Sequence, residues 1–573
     1  MVLGILGASA FRGLEGTDEA SYLLTAANPW ASPGNGIFSG FLLHPLWLVA
    51  GHVGAFRIAG MAVLVLCAVF FSRSLIQAGP SIGAGQCLQQ YGGLVLPSLC
   101  LAALSRYSVG IRTPGYDWAV LVCTLIMASA WFRFESRGKV RPISSAWVAL
   151  FTLAGLGVFV AKWMVFPGVM MLFAALLFLK IAKSDRGRFL GLFFLWSLFW
   201  SVFLTLYITP EQISATVRAG FAQLGTGSHE DILRHYFVGF AKGSWQVIRA
   251  LPWIFGLYGC IWVVLRLTQG RQPEAAKVAG LCFLAGVGLL VARGHWLGGQ
   301  TTFSKGMMIA VVWLVGVYFL TRMHRHLDPP LESSQTQAMR RGLWLLLLLP
   351  LFNGAGTATG ITDYLGHGAV FFAAAGWILL GQAGARGLPG WTMAAAVLCL
   401  GTIQAARAAT STLNTYRVGS VWNDKMIDVS AGPEQGRLKL FSSSVESLKE
   451  IYDEMSRFGY REGDPIIGIT DCPGLVYLLG GVSPGACWYI SYYLPENPGV
   501  KMNLQNIPDQ DLARAWVLLR ESARANERLE QAWPAGRGIP EPRQIQGQFF
   551  WPWGDGEGKL ERISIYRPTQ SGR

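Results

Sequence analysis

The sequence predicts an α-helical polytopic membrane protein of about thirteen transmembrane helices, followed by a C-terminal α/β domain. Of its 573 residues, 52% are hydrophobic and only 14% are charged, whereas soluble proteins carry about 25% charged residues. The apolar residues form long runs separated by short basic loops, as bilayer-spanning helices require. Near residue 410 the long apolar runs end and the charge becomes ordinary, which indicates a separate water-soluble domain.

Twelve apolar segments are predicted to cross the membrane, and Met1 to Phe11 is predicted to be the outer half of a further helix. The twelve segments are 55–72, 87–104, 116–132, 143–160, 164–181, 189–208, 247–268, 278–292, 304–321, 342–353, 367–382 and 391–409. The predicted domains are therefore a transmembrane domain over 1–410, with a first external loop at 12–54, and a soluble domain over 411–573.

The distribution of lysine and arginine predicts the orientation. Alternate loops carry clusters of basic residues, at 133–141, 180–188, 266–277 and 322–341. Cytoplasmic loops are enriched in such residues, so we expect these loops in the cytoplasm and the first loop and the C-terminal domain outside a bacterial inner membrane. This clustering also accounts for the net charge of +14, and it argues against nucleic-acid binding.

The C-terminal domain alternates strand and helix patterns. Strands are predicted at 437–441, 465–470 and 558–567, and helices at 444–458, 471–479 and 511–532. The domain is expected to have three or four strands, to lack a catalytic centre of its own, and to cover the outer opening of the membrane cavity. Cys472 and Cys487 are its only cysteines, and an extracytoplasmic position leaves a disulfide between them open.

The strongest candidate for chemistry is an acidic pair just after the first apolar segment. Asp18 and Glu19 stand in the sequence GTDEASYLLTAANPW, at an expected boundary between membrane and water. One of two neighbouring carboxylates can act as a general base while the other orients it or a basic partner. The alternative is structural, because acidic residues also stabilise the start of a helix, here one beginning at Ala20.

Several short motifs resemble the GT-C superfamily of membrane glycosyltransferases, which includes the protein O-mannosyltransferases and the lipid A aminoarabinose transferases. In that superfamily an acidic pair follows the first helix, and an amphipathic surface helix, a His-Pro motif and an arginine come next. The corresponding features here are Asp18-Glu19, roughly Ala20 to Trp30, His44-Pro45-Leu46, Arg57 in AFRIAG, TPGYDWAVL at 113–121 and GVFVAKWMVFPGV at 157–169. The resemblance covers the organisation of the whole membrane domain.

The resemblance implies an enzyme that moves a sugar from a polyprenyl-phosphate donor to an extracytoplasmic lipid, glycan or protein. Asp18 would be the general base, with Glu19 beside it in the site. The residues expected to bind donor or substrate are His44, Arg57, Arg106, Arg112, Asp117, Lys162, Arg293 and Lys305. Each of these residues also has an alternative role without substrate binding. The basic residues could anchor the chain at the membrane interface, His44 could be structural, and Asp117 could cap the span that begins at Trp118.

The sequence departs from the superfamily at one motif. His44-Pro45-Leu46 lacks the lysine and second proline of the aminoarabinose transferases, which leaves the donor class open. No DxD motif occurs in the first external loop, and neither a zinc-like ligand set nor a nucleotide-binding motif occurs in the chain. We therefore expect no cofactor. The partners expected are the lipid bilayer, a polyprenyl-linked sugar and an envelope acceptor.

Two other functions are consistent with the composition. A non-catalytic transporter or flippase would also span the membrane many times, but the chain lacks clear inverted repeats. A non-catalytic scaffold would use the outer domain to bind a partner in cell-envelope polysaccharide assembly. Of the three functions, only the enzyme requires Asp18 to face a cavity open to lipid and water.

Overall fold

The structure is a computed structural model with a helical amino-terminal part and a sheet-containing carboxy-terminal part. It describes residues 1–32, 37–108, 111–136, 144–181, 183–225, 238, 333–354, 366–384, 408–409, 411–413, 415, 417–469, 472–487, 504–520, 533–534, 537–552 and 560–569. The described α-helices of the first part are α1 (Val2–Ser9), α2 (Asp18–Ala27), α3 (Ser39–Ala50), α4 (Val53–Ala78), α5 (Gly85–Gln90), α6 (Gly92–Leu104), α7 (Tyr116–Glu135), α8 (Ser145–Lys162), α9 (Phe166–Lys180), α10 (Lys183–Tyr207), α11 (Pro210–Gly225), α12 (Ser333–Asn353) and α13 (Ala369–Gly384).

The chain is a multi-pass membrane protein. Within the described ranges, four helices are long and apolar enough to cross a bilayer, namely Val53–Ile82, Tyr116–Glu135, Ser145–Lys162 and Asp185–Tyr207. They confirm the apolar helices predicted at 55–72, 116–132, 143–160 and 189–208. The predicted spans at 247–268, 278–292 and 304–321, and most of 391–409, lie outside the described residues, so the number thirteen stays a prediction.

Helix α7 lies at the centre of the described helices and α10 at their edge. In the apolar stretch of α7, 83% of the residues are buried, whereas in the apolar stretch of α10 only 6% are buried. Trp131 and Phe132 of α7 are fully buried. A side chain at Gly157 of α8 would place its Cβ 2.5 Å from Sγ of Cys123, so this glycine permits the close approach of α7 and α8. The exposed Phe and Leu side chains of α10 form a face suited to lipid.

One end of α7 is tied to two other helices by a buried carboxylate. Glu135 is 1% exposed and lies 2.8 Å from Nζ of Lys180 on α9 and 2.9 Å from Nε of Arg341 on α12. Both cations belong to the basic loops predicted to face the cytoplasm. The other end of α7 begins at Tyr116, about 30 Å away along a helix of this length, and it lies beside the first external loop.

The predicted surface helix at 20–30 is instead a buried helix. It forms α2, and all residues from Asp18 to Ala26 are buried. A helix at a membrane surface exposes its polar side to water, but here the carboxy-terminal part packs over it. Gly474 N donates a hydrogen bond to Gly16 O at 2.8 Å, and Gly485 N donates to Ala31 O at 3.0 Å.

The carboxy-terminal part, residues 417–569, is called the C-terminal module below. Its described elements are β1 (Met426–Asp428), β2 (Lys439–Phe441), α14 (Ser442–Arg457), β3 (Ile466–Ile469), α15 (Pro473–Leu479), α16 (Asp509–Arg514), β4 (Trp516–Arg520), β5 (Arg543–Gln544), β6 (Phe549–Pro552) and β7 (Leu560–Arg567). Its main sheet has the order β3-β4-β7-β5, with β6 also paired to β7. β3 and β4 are parallel, and the other pairs are antiparallel.

The prediction of three or four strands was too low. The main sheet has five described strands, and β1 and β2 form a separate antiparallel pair. Of the strands that were not predicted, β5 has two residues and β1 has three, and segments this short carry little periodicity for a sequence pattern to reveal. β4 and β6 are longer, with five and four residues.

The prediction of one helix over 511–532 was wrong for residues 515–520, and residues 521–532 lie outside the described part of the chain. Helix α16 ends at Arg514, and β4 follows at Trp516 in parallel register with β3. Trp516 and Leu518 belong to one buried cluster, and Val517 and Leu519 to another. Both faces of this central strand are therefore covered, and such a strand reads as a continuous apolar run that resembles part of a helix.

Cys472 and Cys487 are not bridged. Both side chains are buried thiols. Sγ of Cys472 donates to Ile469 O at 3.3 Å, and Sγ of Cys487 donates to Ser21 O at 3.6 Å. The second of these contacts joins the module to α2.

Candidate functional site

The candidate site lies where the turn before α2, the start of α4 and the loop before α7 meet. Its centre is a buried ion pair between Glu19 of α2 and Arg57 of α4. Nη2 of Arg57 is 2.7 Å from Oε2 of Glu19, and Nε is 3.0 Å from Oε1. Each residue is 1% exposed. This two-point geometry fixes both side chains relative to each other.

Arg57 also holds the turn that leads into α2. Its Nη1 donates to Ala10 O at 2.7 Å and its Nη2 to Gly13 O at 2.9 Å. Arg112, from the loop before α7, donates to Ser9 O at 2.7 Å and to Arg12 O at 2.6 Å. Two guanidinium groups therefore organise residues 9–13 through their carbonyl oxygens.

The charges of these groups are strongly coupled. Burial by itself raises the pKa of Glu19, but the charges of Arg57 and Arg112 outweigh it and hold its pKa below the ordinary value. The Thr113 hydroxyl also donates to Oε1 of Glu19. Burial, together with the charge of Arg57, lowers the pKa of Arg112 to about 9, so Arg112 remains a cation at neutral pH.

Glu15 provides the cap that the sequence alternative assigned to the acidic pair. Helix α2 begins at Asp18 rather than Ala20. Oε1 of Glu15 accepts from Thr17 N at 3.1 Å, and its Oε2 accepts from Glu19 N at 2.9 Å. Glu15 N in turn donates to Oε2 of Glu19 at 3.0 Å. These reciprocal bonds satisfy backbone donors at the start of α2, as capping motifs do.

Asp18 lies in the first turn of α2 and is 8% exposed. Burial, followed by the negative charge of Asp18, raises the pKa of Glu15 from 4.5 to about 7. The negative charge of Asp18 therefore acts on the Glu15 carboxyl, which lies in the turn just before α2.

Two arginines present buried donors that are not used in hydrogen bonds. Among the residues that the structure describes, Nε of Arg106 and Nε of Arg112 lack a hydrogen-bond partner. Nη1 of Arg106 donates to Ile111 O at 3.2 Å, so the Arg106 side chain contacts the loop that carries Arg112. Buried donors without partners are rare in proteins and commonly indicate a water molecule or an ion.

Asp117 and Lys162 pair with each other at the outer ends of α7 and α8. Nζ of Lys162 is 3.6 Å from Oδ1 of Asp117 and 5.1 Å from the ring centroid of Tyr116. Lys162 is 5% exposed. The structure thus joins two of the predicted site residues, although the sequence separates them by 45 positions.

The described contacts of His44 are structural. Its Nδ1 lies 2.7 Å from Ala26 O, and its ring packs edge-on against Trp30 at 4.9 Å. These contacts fasten α3 to the end of α2. Arg293 and Lys305, the other predicted binding residues, lie outside the described residues. Within the described ranges, no group of three or more His, Cys, Asp or Glu residues has a metal-binding arrangement.

The C-terminal module contacts the turn that leads into α2. Gly13 N donates to Lys439 O at 2.7 Å, and Lys439 N donates to Phe11 O at 2.9 Å. Arg417 lies 3.5 Å from Oε1 of Glu15 and also donates to the Thr17 hydroxyl. A crevice with about 70 Å³ of space for water follows this junction. It is lined by residues 13–17, 417–418, 440–441, 444, 474, 478 and 551–552.

Sequence reasoning missed the roles of four residues. Glu15 caps α2 through bonds with Glu19, but a glutamate four positions before another matches no capping box, which places a Ser or Thr three positions before a Glu or Gln. Thr113 lies in the motif TPGYDWAVL at 113–121, where no function was predicted for it. Arg417 and Glu434 reach the site from about 400 residues further along the chain, and the sequence offers no local signal for either contact.

No protein-family model matches the sequence, and no curated protein matches it. Among solved structures, the chain is similar to ArnT from Cupriavidus metallidurans. For ArnT in the apo state the sequence identity is 14% and the TM-score 0.39, over 98% of this chain and 96% of that chain. For ArnT bound to undecaprenyl phosphate the values are 13% and 0.39, over 100% and 97%.

Proposed function

We propose that this protein is a GT-C type glycosyltransferase of the bacterial inner membrane, with its C-terminal module on the periplasmic side. It would transfer a sugar from a polyprenyl-phosphate donor to an extracytoplasmic acceptor. The observation that carries this proposal is the juxtaposition of the Glu15–Asp18 carboxylate pair with a buried cluster of arginines at one end of the apolar helices. This arrangement would supply a base for the acceptor and cations for a phosphate at the edge of the membrane.

In the proposed reaction, Asp18 accepts the proton of the acceptor hydroxyl or amine. The acceptor atom forms a bond to the anomeric carbon of the sugar as the bond from that carbon to the phosphate oxygen breaks. The electron pair of the broken bond leaves with the polyprenyl phosphate. A positioned base of this kind contributes about a hundred- to ten-thousand-fold to the rate.

Arg106, Arg112 and Lys162 are the proposed partners of the leaving phosphate. The Nε donors of the two arginines are buried, and hydrogen bonds from cations to phosphate oxygens are strong where water is excluded. Lys162 would act as a further positive charge beside Asp117. Because the same cations are also present before the reaction, they would stabilise the anion without reorganising.

Glu19 and Arg57 are proposed to position this machinery rather than to take part in proton transfer. Both oxygens of Glu19 are engaged, by Arg57, by Thr113 and by Glu15 N. Its pKa below the ordinary range makes it a poor proton acceptor. Asp18 extends from the same helical turn, so a fixed Glu19 also fixes the place of Asp18.

The test is glycolipid and glycan profiling of a deletion strain complemented with wild-type, Asp18→Asn or Asp428→Asn protein. Asp428 is an exposed carboxylate of the C-terminal module and serves as the matched control. We expect the wild type and the control to restore a glycosylated product that Asp18→Asn does not restore at equal membrane abundance. Full restoration by Asp18→Asn would contradict the proposed base and would favour a transporter or scaffold.

A further inference from the structure

The C-terminal module makes two charged contacts with the helices that carry the candidate site. One contact reaches the start of α4, four residues before Arg57. The other reaches the turn that precedes Asp18 at the start of α2. The module thus touches both helices at the ends from which the proposed catalytic and positioning residues extend.

Glu434 makes the first contact. Its Oε1 accepts from Val53 N, the first backbone donor of α4, at 3.0 Å, and from the Tyr477 hydroxyl at 2.5 Å. Glu434 is 1% exposed, and its Oε2 has no hydrogen-bond partner among the described residues. Because the first backbone N–H groups of a helix have no partner within the helix, this side chain caps a membrane helix from another part of the fold.

The environment of this contact extends to the site. Trp47 packs edge-on against Tyr477 at 6.1 Å and against Phe56, the neighbour of Arg57, at 5.4 Å. Val53 and Phe56 are fully buried, so the first turn of α4 is enclosed on the side of the module. A shift of Val53 would therefore move Arg57, which lies one turn further along the same helix.

Arg417 makes the second contact, with Glu15 and Thr17. Its backbone is in the left-handed region, with φ of 52°, in a turn closed by the pairing of Thr415 with Gly419. Among the described residues it is the one non-glycine with such a φ. The turn directs the guanidinium to the carboxylate that caps α2 and interacts with Asp18.

We infer that the C-terminal module is a positioning element of the active site, in which Glu434 sets the place of Arg57 and Arg417 sets the place of Asp18. This inference rests on the proposed function. It assigns the module a part in positioning the catalytic residues, in addition to the covering role predicted from the sequence. A displacement of about 1 Å at a catalytic group lowers a rate by about a hundredfold, so contacts of this kind are sufficient to control turnover.

The experiment compares Glu434→Ala, Glu434→Gln and Asp428→Asn as purified, monodisperse full-length proteins. Hydrogen exchange is measured at the amides of residues 53–57. Transfer kinetics are measured with the donor and acceptor identified by the profiling above. Glutamine keeps an acceptor for Val53 N and the Tyr477 hydroxyl, alanine removes it, and Asp428→Asn changes a carboxylate that makes neither contact.

We expect Glu434→Ala to speed exchange at Val53 by about ten- to a hundredfold, as the loss of a hydrogen bond to a charged group implies. Its kcat should fall by about ten- to a hundredfold, with a smaller change in the KM for the donor. Glu434→Gln should stay within about threefold of wild type in both measurements. A purely structural role would lower the yield of folded protein but leave kcat unchanged.

Several results would overturn the inference. Wild-type kcat in folded Glu434→Ala protein would show that the cap does not position Arg57. An equal loss in Glu434→Gln would show that the hydrogen bond is not responsible. Absence of transfer by the wild-type protein would instead refute the proposed function and, with it, any positioning of a reaction. The exchange measurement would still decide whether Glu434 caps α4.

Discussion

Replacing Glu19 by glutamine removes the carboxylate that pairs with the buried Arg57 guanidinium. The side chain of Glu19 accepts from Nε and Nη2 of Arg57 at 3.0 and 2.7 Å, and both residues are 1% exposed. A glutamine keeps one oxygen but directs an amide N–H₂ at the other donor. Arg57 and Arg112 then remain as buried cations without their counter-charge.

The expected cost follows from this burial. Removing one partner of a buried, hydrogen-bonded ion pair destabilises a protein by about 3–5 kcal/mol. Asp18→Asn, by contrast, leaves the Arg57 pair intact and should cost less than about 1 kcal/mol. We therefore expect opposite phenotypes: Glu19→Gln loses stability, whereas Asp18→Asn loses turnover.

Thermal unfolding in a mild detergent, followed by size-exclusion chromatography, measures this difference. Glu19→Gln should lower the Tm by at least about 5 °C, and Asp18→Asn should leave it nearly unchanged. In a double-mutant cycle, the loss in free energy of unfolding for Glu19→Gln combined with Arg57→Gln should be smaller than the sum of the two single losses by at least about 1 kcal/mol. Equal Tm values for Glu19→Gln and Asp18→Asn, or additive effects in the cycle, would refute the reasoning.

Three further predictions concern topology, pH and the opposite membrane face. A C-terminal alkaline phosphatase fusion should be active and a green fluorescent protein fusion dark, because the basic loops predict that the module lies outside; the reverse pair of results would invert the predicted orientation. The pKa of Glu15 rises from 4.5 to about 7 on folding, so the native state binds more protons than the unfolded chain, and stability should fall by about 3 kcal/mol as the pH rises between these values. Glu15→Gln should flatten this dependence of Tm on pH, and an unchanged slope would assign it to another group. Glu135→Gln should lower the Tm by leaving Lys180 and Arg341 without a counter-charge, and Arg341→Gln should partly restore it; additive losses would exclude this coupling.

The membrane helices were predictable because burial in lipid imposes a composition on a whole segment. The pattern at 116–132 predicted α7, and that at 189–208 predicted α10, although one is enclosed and the other is at the edge. Hydropathy does not distinguish these positions, since a helix packed among apolar helices and one packed in lipid have similar surfaces. In the module, β3 and β7 were predicted from local patterns, whereas β4 was mistaken for helix because tertiary pairing decided its conformation.

The sequence indicated which residues belong to the candidate site, but it did not indicate how their side chains pair. The sequence placed the acidic pair, Arg57 and the motif containing Thr113 at one membrane face. It could not show that Glu19 pairs with Arg57, or that Glu15 caps α2, because these contacts depend on the path of the turn at 10–17. It also could not show the contacts of the C-terminal module, which join residues about 400 positions apart.

This separation along the chain has a consequence for biosynthesis. Arg12 donates to Val421 O, and Arg417 binds Thr17, so residues made at the start of translation acquire these partners only near its end. Protein synthesis proceeds at about 5–20 residues per second, so the 400 residues between Thr17 and Arg417 take roughly 20–80 s to make. During this interval the buried carboxylates and arginines of the first loop are open to water. A chain released early would therefore keep an incomplete site, and the proposed activity would arise only once the C-terminal module had folded onto the first loop.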